Sequence, residues 1–293
     1  MDEHGLRARA IALYDRFTHV THDRRGFMTE LTRLAGGTAA ANALLLSIAA
    51  DPAAAAIVPP DDPRLRISEA RWPSAPGRTM AGYVARPAAE PQRRPVVVVI
   101  HENRGLNAHI RDVARRFALE GFTALAPDFL SPEGGTPADE DQARTMIGAL
   151  DLAAATADGV SAIRLMKRAR TSTGKVGVVG FCWGGAMANR LAIAAGSDLL
   201  AAVPYYGPPP DPAEAAKVKA AMLLHYAGED PRVNAGAQPW IEALRAAHVP
   251  TDAFFYQGAQ HAFNNDTSAA RYDRAAAELA WNRTIAFLRR RLA

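Results

Sequence analysis

The sequence has a single cysteine, no long apolar run and no strong excess of charge. Cys182 is the one thiol among 293 residues, which excludes an internal disulfide framework, and no group of Cys and His has zinc-site spacing. No apolar run reaches the ~20 residues that a membrane span needs, so no membrane partner is expected. The formal net charge of +4 is small and dispersed, which argues against nucleic acid as a partner.

The first 58 residues contain a candidate export signal. Arg24 and Arg25, followed by Gly26, Phe27 and Met28, resemble a twin-arginine motif. A modestly apolar Ala/Leu run and then small residues at 53–56, where a peptidase could cut, come after it. This interpretation predicts an exported, periplasmic protein. The lead before the arginine pair is long, however, and charged residues interrupt the approach to the apolar run.

The same 58 residues also allow a structural interpretation. Leu6, Ala10, Leu13 and Phe17 are spaced like one face of a helix. This pattern predicts an amphipathic extension that packs on the main domain as a flap, and the protein would then be cytoplasmic. Both interpretations place the boundary of the main domain at residue 59.

Residues 59–293 alternate strand and helix patterns. Two antiparallel strands are predicted around the turn Pro76–Gly77, and "PVVVVIHE" and "KVGVVGFC" have the continuous apolar character of strands buried on both faces. Helices are predicted at about 109–122, 138–170 and 269–292. The alternation indicates an α/β protein with a mostly parallel sheet covered on both faces. Ligands of such sheets bind at the carboxyl ends of the strands.

Cys182 stands in "GFCWG", between Gly180 and Gly184. This pattern fits the sharp strand-to-helix turn that carries a nucleophile, with Cys in place of Ser. Glycines are needed on either side because strand and helix backbones approach too closely for a Cβ atom. The amino terminus of the following helix favours a thiolate.

An acid and a base follow the cysteine in the order that α/β-hydrolases use. Asp230 in "AGEDPRVN" and His261 in "QGAQHAF" each come after a predicted strand. His261 is the candidate base that exchanges a proton with the thiol and the leaving group, and Asp230 is the candidate residue that orients it.

A further candidate site follows the strand "VVVVI". Glu102 is expected to enter the pocket, where a thiol could donate a hydrogen bond to its carboxylate and give up its proton. A salt bridge between Glu102 and Arg104 at the pocket rim is the alternative. The backbone N–H groups of Asn103 and Trp183 are expected to form an oxyanion hole.

These motifs together resemble the dienelactone hydrolase family (carboxymethylenebutenolidases), over a region from about Arg64 to the carboxyl end. The resemblance rests on "HENRG", "GFCWGG", "AGEDPRVN" and "QGAQHAF". It implies an α/β-hydrolase fold and a Cys182–His261–Asp230 triad, with Glu102 helping to generate the thiolate when substrate binds. It also implies a small ester or lactone substrate, a thioester acyl-enzyme, and neither a metal nor an organic cofactor.

One departure from the family pattern leaves the substrate open. Family members that bind the anionic dienelactone carry arginines for its carboxylate, one of them a few residues after the catalytic histidine. Asn264 and Asn265 stand there in this chain, so Arg104 is the candidate replacement. The alternatives are a broad carboxylesterase for neutral esters, and a non-enzymatic thiol sensor or binding protein.

Overall fold

The computed structural model describes residues 3–21, 23–49, 56–89 and 93–293. Eight strands form one sheet: β1 Leu65–Ala75, β2 Arg78–Pro87, β3 Arg94–Ile100, β4 Thr123–Asp128, β5 Ser172–Phe181, β6 Ala201–Tyr205, β7 Ala221–Ala227 and β8 Thr251–Tyr256. The α-helices in the described ranges are α1 Glu3–Arg16, α2 Arg24–Ala35, α3 Thr38–Ile48, α4 Ala108–Leu119, α5 Glu140–Gly148, α6 Leu152–Arg168, α7 Trp183–Ala194, α8 Pro231–Asn234, α9 Ala237–Ala246 and α10 Arg274–Leu292.

The sheet has the strand order β1-β2-β4-β3-β5-β6-β7-β8. The β1–β2 and β2–β4 pairs are antiparallel, whereas the pairs from β4–β3 to β7–β8 are parallel. Helices α4 and α10 pack on one face, and α6, α7 and α9 pack on the other. The expected α/β-hydrolase fold is therefore confirmed, and the carboxyl ends of the parallel strands lie along one edge of the sheet.

Local sequence explains where the elements begin. Residues 96–100 of β3 are fully buried, as a central strand covered by helices on both faces requires. Asn107 caps α4, and its side chain accepts a hydrogen bond from the N–H of Ile110. The turn at Pro76–Gly77 joins β1 to β2 as expected, with Gly77 at φ 72°.

Two predicted helices differ in their extent. The helical region expected at 138–170 is divided into α5 and α6, because the Asp151 side chain caps the N–H groups of Ala153 and Ala154 and starts a new helix. No single helix in the described ranges is long and apolar enough to span a membrane. Only α5 and α6 taken together have that length and apolarity, and a bend of 103° separates them. The terminal helix begins at Arg274 rather than 269, because Asp273 caps it.

Helices α1–α3 and the π-helical turn Phe17–Thr21 form a small layer of their own, which we call the N-terminal cap. Its core contains Ala10 and Tyr14 of α1 and Phe17 of the π-helical turn, packed against Phe27 and Leu31 of α2. Ala10 and Phe17 belong to the helical face predicted from the sequence. Export and the domain division at residues 58 and 59 stay predictions. Residues 53–55 of the suggested cleavage region lie outside the described residues.

Gly180 lies at the junction between β5 and α7, where the close approach of the two backbones leaves no room for a Cβ atom. A Cβ atom at Gly180 would overlap the backbone carbonyl of Gly184, whereas a Cβ atom at Gly148 of α5 would meet nothing within 4 Å. We expect Gly180→Ala to lower the free energy of unfolding by more than about 2 kcal/mol, because backbone atoms cannot yield. Urea denaturation measures this quantity. Gly148→Ala is the matched control and should be neutral or stabilising; equal effects of both variants would contradict the expectation.

Candidate active site

Cys182 lies at a strained turn between β5 and α7. Its φ of 55° is in the left-handed region, which residues other than glycine seldom adopt. A Cβ atom at Gly184 would lie 2.5 Å from the carbonyl oxygens of Ile100 and His101, so the helix can approach the end of β3 only with glycine there. The cysteine is 4% exposed and precedes the first residue of α7, where the helix dipole favours a negative charge.

His261 and Asp230 are brought together with Cys182. The Nδ1 atom of His261 lies 2.5 Å from an Asp230 carboxylate oxygen, and the imidazole is also hydrogen-bonded to the Cys182 side chain. The other Asp230 oxygen accepts the N–H of Val233 at 3.2 Å, because Asp230 caps α8. The three side chains come from the ends of β5, β7 and β8, as the sequence predicted.

The two titrating partners of Cys182 have shifted pKa values. Burial alone would lower the pKa of His261, but the negative charge of Cys182 and the hydrogen bond to Asp230 raise it to about 10. Burial would raise the pKa of Asp230, yet the hydrogen bond and charge of His261 hold it below its ordinary value. The raised pKa of His261 favours its protonated, imidazolium form beside Cys182.

Glu102 enters the same pocket and is held by two neutral donors. The Asn265 side-chain amide donates to one carboxylate oxygen at 2.8 Å, and the Tyr206 hydroxyl donates to the other at 3.5 Å. Asn265 is fully buried and its own oxygen accepts hydrogen bonds from Thr267. Asn265, one of the two asparagines that follow His261, therefore serves as a hydrogen-bond donor to Glu102.

Arg104 is buried beside the pocket and does not lie exposed at the rim. Its Nη2 donates to the Tyr14 hydroxyl at 2.5 Å, and its Nε lies 3.3 Å from a Glu140 carboxylate oxygen. Among the described residues, Arg104 forms its ion pair with Glu140 and none with Glu102. Within the same part of the chain, its buried Nη1 has no hydrogen-bond acceptor, which leaves one donor for a ligand.

The two residues expected to supply an oxyanion hole lie next to the cysteine. Trp183 is the first residue of α7, so its N–H has no acceptor four residues earlier in the helix. Asn103 follows Glu102, and its side chain donates to the Thr18 carbonyl at 3.3 Å. His101 fixes this loop: it donates from Nδ1 to the Glu102 carbonyl, accepts the Phe129 N–H and stacks on Trp183 at 5.4 Å.

The pocket includes residues that sequence reasoning missed. It leaves only about 10 Å³ for the centre of a water molecule, roughly the space of one water. Its wall comprises Tyr14, Thr18, Glu102, Asn103, Arg104, Cys182, His261, Ala262 and Arg271. Tyr14 and Thr18 come from the N-terminal cap, and Arg271 comes from the loop before α10. No local motif marks these three, because only the packing of distant segments places them here.

The chemistry of the pocket is that of organic side chains. Among the residues that the structure describes, no group of three or more His, Cys, Asp or Glu is placed to hold a metal ion. The polar side chains of the pocket wall are a histidine, a carboxylate, an asparagine, two hydroxyl groups and two guanidinium groups, a set that suits acyl transfer with proton exchange.

A nucleophile on a strand-to-helix turn, followed by an acid and a histidine on later strand ends, defines the α/β-hydrolases. The model of the dienelactone hydrolase family matches residues 80–292. A carboxymethylenebutenolidase of Pseudomonas putida is 34% identical over 72% of this chain and 92% of its own. The chain belongs to the dienelactone hydrolase family, and it is a hydrolase that acts on ester or lactone bonds.

Solved structures extend this comparison. A provisionally named dienelactone hydrolase from Klebsiella pneumoniae is 29% identical, has a TM-score of 0.69, and covers 77% of this chain and 98% of its own. Brefeldin A esterase, 14% identical with a TM-score of 0.65, covers 98% of this chain and 93% of its own. The second likeness shows the fold alone.

The protonation state of His261 is testable by NMR. Because the charge of Cys182 helps to raise the His261 pKa to about 10, wild-type His261 should keep its proton as the pH rises through 7 and 8, and lose it near 10. In Cys182→Ala we expect the pKa of His261 to fall, so that the proton is lost at lower pH. Imidazole ¹⁵N shifts measure the titration. The same midpoint in both proteins would contradict the ion pair.

Proposed function

We propose that this protein hydrolyses small esters or lactones of the dienelactone type with Cys182 as the nucleophile. The convergence of Cys182, His261 and Asp230 at three strand ends carries the proposal, because His261 donates a hydrogen bond from Nδ1 to Asp230 and is hydrogen-bonded to Cys182, which connects acid, base and nucleophile. Where Cys182 still carries its proton as substrate binds, Glu102 accepts that proton and passes it to His261, so that every cycle starts from the same thiolate and protonated imidazole.

Acylation begins when the Cys182 sulfur attacks the substrate carbonyl carbon. A carbon–sulfur bond forms, and the carbonyl electron pair moves to the oxygen, which the N–H groups of Asn103 and Trp183 stabilise. The tetrahedral intermediate then collapses. The ester carbon–oxygen bond breaks, and protonated His261 gives its proton to the departing oxygen. The product of this stage is a thioester on Cys182, with neutral His261 still held by Asp230.

Deacylation reverses these roles. Neutral His261 removes a proton from a water molecule, and the resulting hydroxide adds to the thioester carbon. The carbon–sulfur bond then breaks and releases a carboxylic acid, which for a lactone is the ring-opened product. The sulfur leaves as a thiolate beside protonated His261, which restores the ion pair of the resting enzyme. The cycle consumes one water and needs no cofactor.

The arginines of the pocket favour an anionic substrate. Arg104 has an unused donor on Nη1, and Arg271, which is buried, also lines the pocket. Asn265 is engaged with Glu102, so its presence does not argue for neutral esters. A broad carboxylesterase acting on neutral esters is the second candidate, since acidic residues accompany both arginines: Glu140 beside Arg104, and Asp15 beside Arg271.

Hydrolysis of cis-dienelactone and of a neutral 4-nitrophenyl ester tests the nucleophile. We expect Cys182→Ala to abolish turnover and to abolish the acyl adduct that mass spectrometry detects on the wild-type protein. Asp230→Asn should lower kcat by roughly 10⁴-fold, because His261 then adopts the wrong tautomer. Wild-type turnover by Cys182→Ala would refute the proposal. Absence of all turnover, with reversible oxidation of Cys182, would favour the thiol sensor.

A comparison of two esters tests Arg104. Loss of a charge-assisted hydrogen bond costs ~1.5–3 kcal/mol, so Arg104→Ala should raise KM for an anionic ester by about tenfold or more. A neutral ester of the same shape should be unaffected. Arg111→Ala is the matched control, since Arg111 also follows β3 but lies on α4, where it is near Glu69. An equal effect of Arg104→Ala on both esters would show that the arginine does not bind the substrate anion.

A further inference from the structure

The N-terminal cap closes the catalytic pocket. Tyr14 and Thr18 form part of the pocket wall that contains Cys182 and His261. Tyr14 accepts the hydrogen bond from Arg104 and also lies under the guanidinium of Arg271, 5.2 Å from the ring centre. The space that remains is far below the ~300–1,000 Å³ of a small-molecule site. An ester therefore cannot enter while the cap keeps this position.

The cap has its own apolar core, separate from the two cores of the sheet. Within that cluster the one residue of the main domain is Ala270, which is only partly buried. The apolar contacts therefore stay mostly within the cap, and its separation from the main domain would newly expose chiefly the ring faces of Tyr14 and Phe17 that contact Arg271 and Arg144. Elements with few apolar contacts across their boundary are those that open locally.

The contacts between the cap and the main domain are largely polar. Arg7 donates to the Ala269 carbonyl at 3.1 Å, and Arg24 forms an ion pair with Asp141 of α5. Two hydrogen bonds join the end of α3 to the loop after His261: Ser268 donates to the Ile48 carbonyl at 2.6 Å, and the Ala270 N–H donates to the Ser47 carbonyl at 2.9 Å. Such contacts exchange readily for contacts with water.

We propose that the N-terminal cap is a movable wall of the substrate site, that ester substrates enter when it opens, and that Tyr14 is the positioning residue for Arg104 when the cap closes again over a bound ester. Arg24, which the sequence placed in a possible export motif, then belongs to the contact between cap and main domain. The part that concerns Arg104 rests on the proposed function. The part that concerns access to Cys182 does not, because it requires no hydrolysis.

Alkylation of the single cysteine tests the opening of the cap. Full-length protein is treated with iodoacetamide and with a bulky fluorescent maleimide, and the modification rate of Cys182 is measured. In Arg7→Ala/Arg24→Ala both rates should rise at least about threefold, because one surface ion pair and one hydrogen bond are lost. The urea midpoint should stay unchanged, since the cap opens without global unfolding.

A matched double variant controls this measurement. Arg164 and Arg289 are exposed arginines that pair with Asp198 and Glu120, away from the cap. Arg164→Ala/Arg289→Ala should alkylate at the wild-type rate. Equal rates for the two double variants would overturn the movable cap, and so would a rise that merely follows a lowered urea midpoint.

Removal of one hydroxyl tests the positioning of Arg104. Tyr14→Phe should raise KM for an anionic ester about three- to tenfold, the size of one hydrogen bond, and should leave kcat and the neutral ester unchanged. Tyr226→Phe is the matched control, because the Tyr226 hydroxyl is buried without a hydrogen-bond partner in the described chain and lies outside the pocket. An equal change for both esters would overturn the positioning.

The two measurements separate the cap from the proposed chemistry. If no ester is hydrolysed but the Arg7→Ala/Arg24→Ala variant alkylates faster, the proposed function fails and the movable cap stands. If wild-type protein hydrolyses esters through Cys182 but neither the alkylation rates nor KM respond, the proposed function stands and the cap proposal fails.

Discussion

The turn at Cys182 is the constraint on which the site depends. Its φ of 55° is tolerated because Gly180 and Gly184 let β5, α7 and the end of β3 approach without Cβ atoms between them. The same close approach fixes the loop after β3 against the amino terminus of α7. Glu102 and Asn103 therefore lie beside the sulfur as a consequence of backbone packing, and hydrogen bonds with residues distant in sequence orient their side chains.

Several charged groups are buried around this turn, and each has a compensating partner. Asp230 binds His261, Glu102 accepts from Asn265 and Tyr206, and Arg104 lies beside Glu140. An unpaired buried charge would be costly. Because these residues come from five different segments, loss of one charge affects the rest of the network. Asn265 illustrates this dependence. An arginine at position 265 would replace the neutral amide that donates to Glu102 and would form an ion pair with that carboxylate.

The elements and the candidate residues Cys182, Asp230 and His261 were predictable from the sequence, because their determinants are local. Valine runs fix β3 and β5, glycines mark the turn at Cys182, and Asp230 and His261 each follow a strand. The division between α5 and α6 was also marked locally, by the helix-capping residue Asp151. The positions of Tyr14 and Arg271 were not predictable, since the first is separated from Arg104 by 90 residues and only packing joins them. The hydrogen bond from Asn265 to Glu102 was not predictable for the same reason.

The exclusion of water by the closed pocket strengthens the attraction between Cys182 and His261. Electrostatic attraction between a thiolate and an imidazolium strengthens when solvent is excluded, and the cap is the element that excludes it. Within the proposed cycle the two stages make opposite demands: ester entry needs a cap that has opened, whereas deacylation needs one water beside His261. The closed cavity has about 10 Å³ for a water centre, which admits one water but neither an ester nor an acyl group. The cap must therefore make room for the bound acyl group while it still limits the water that reaches Cys182 and His261.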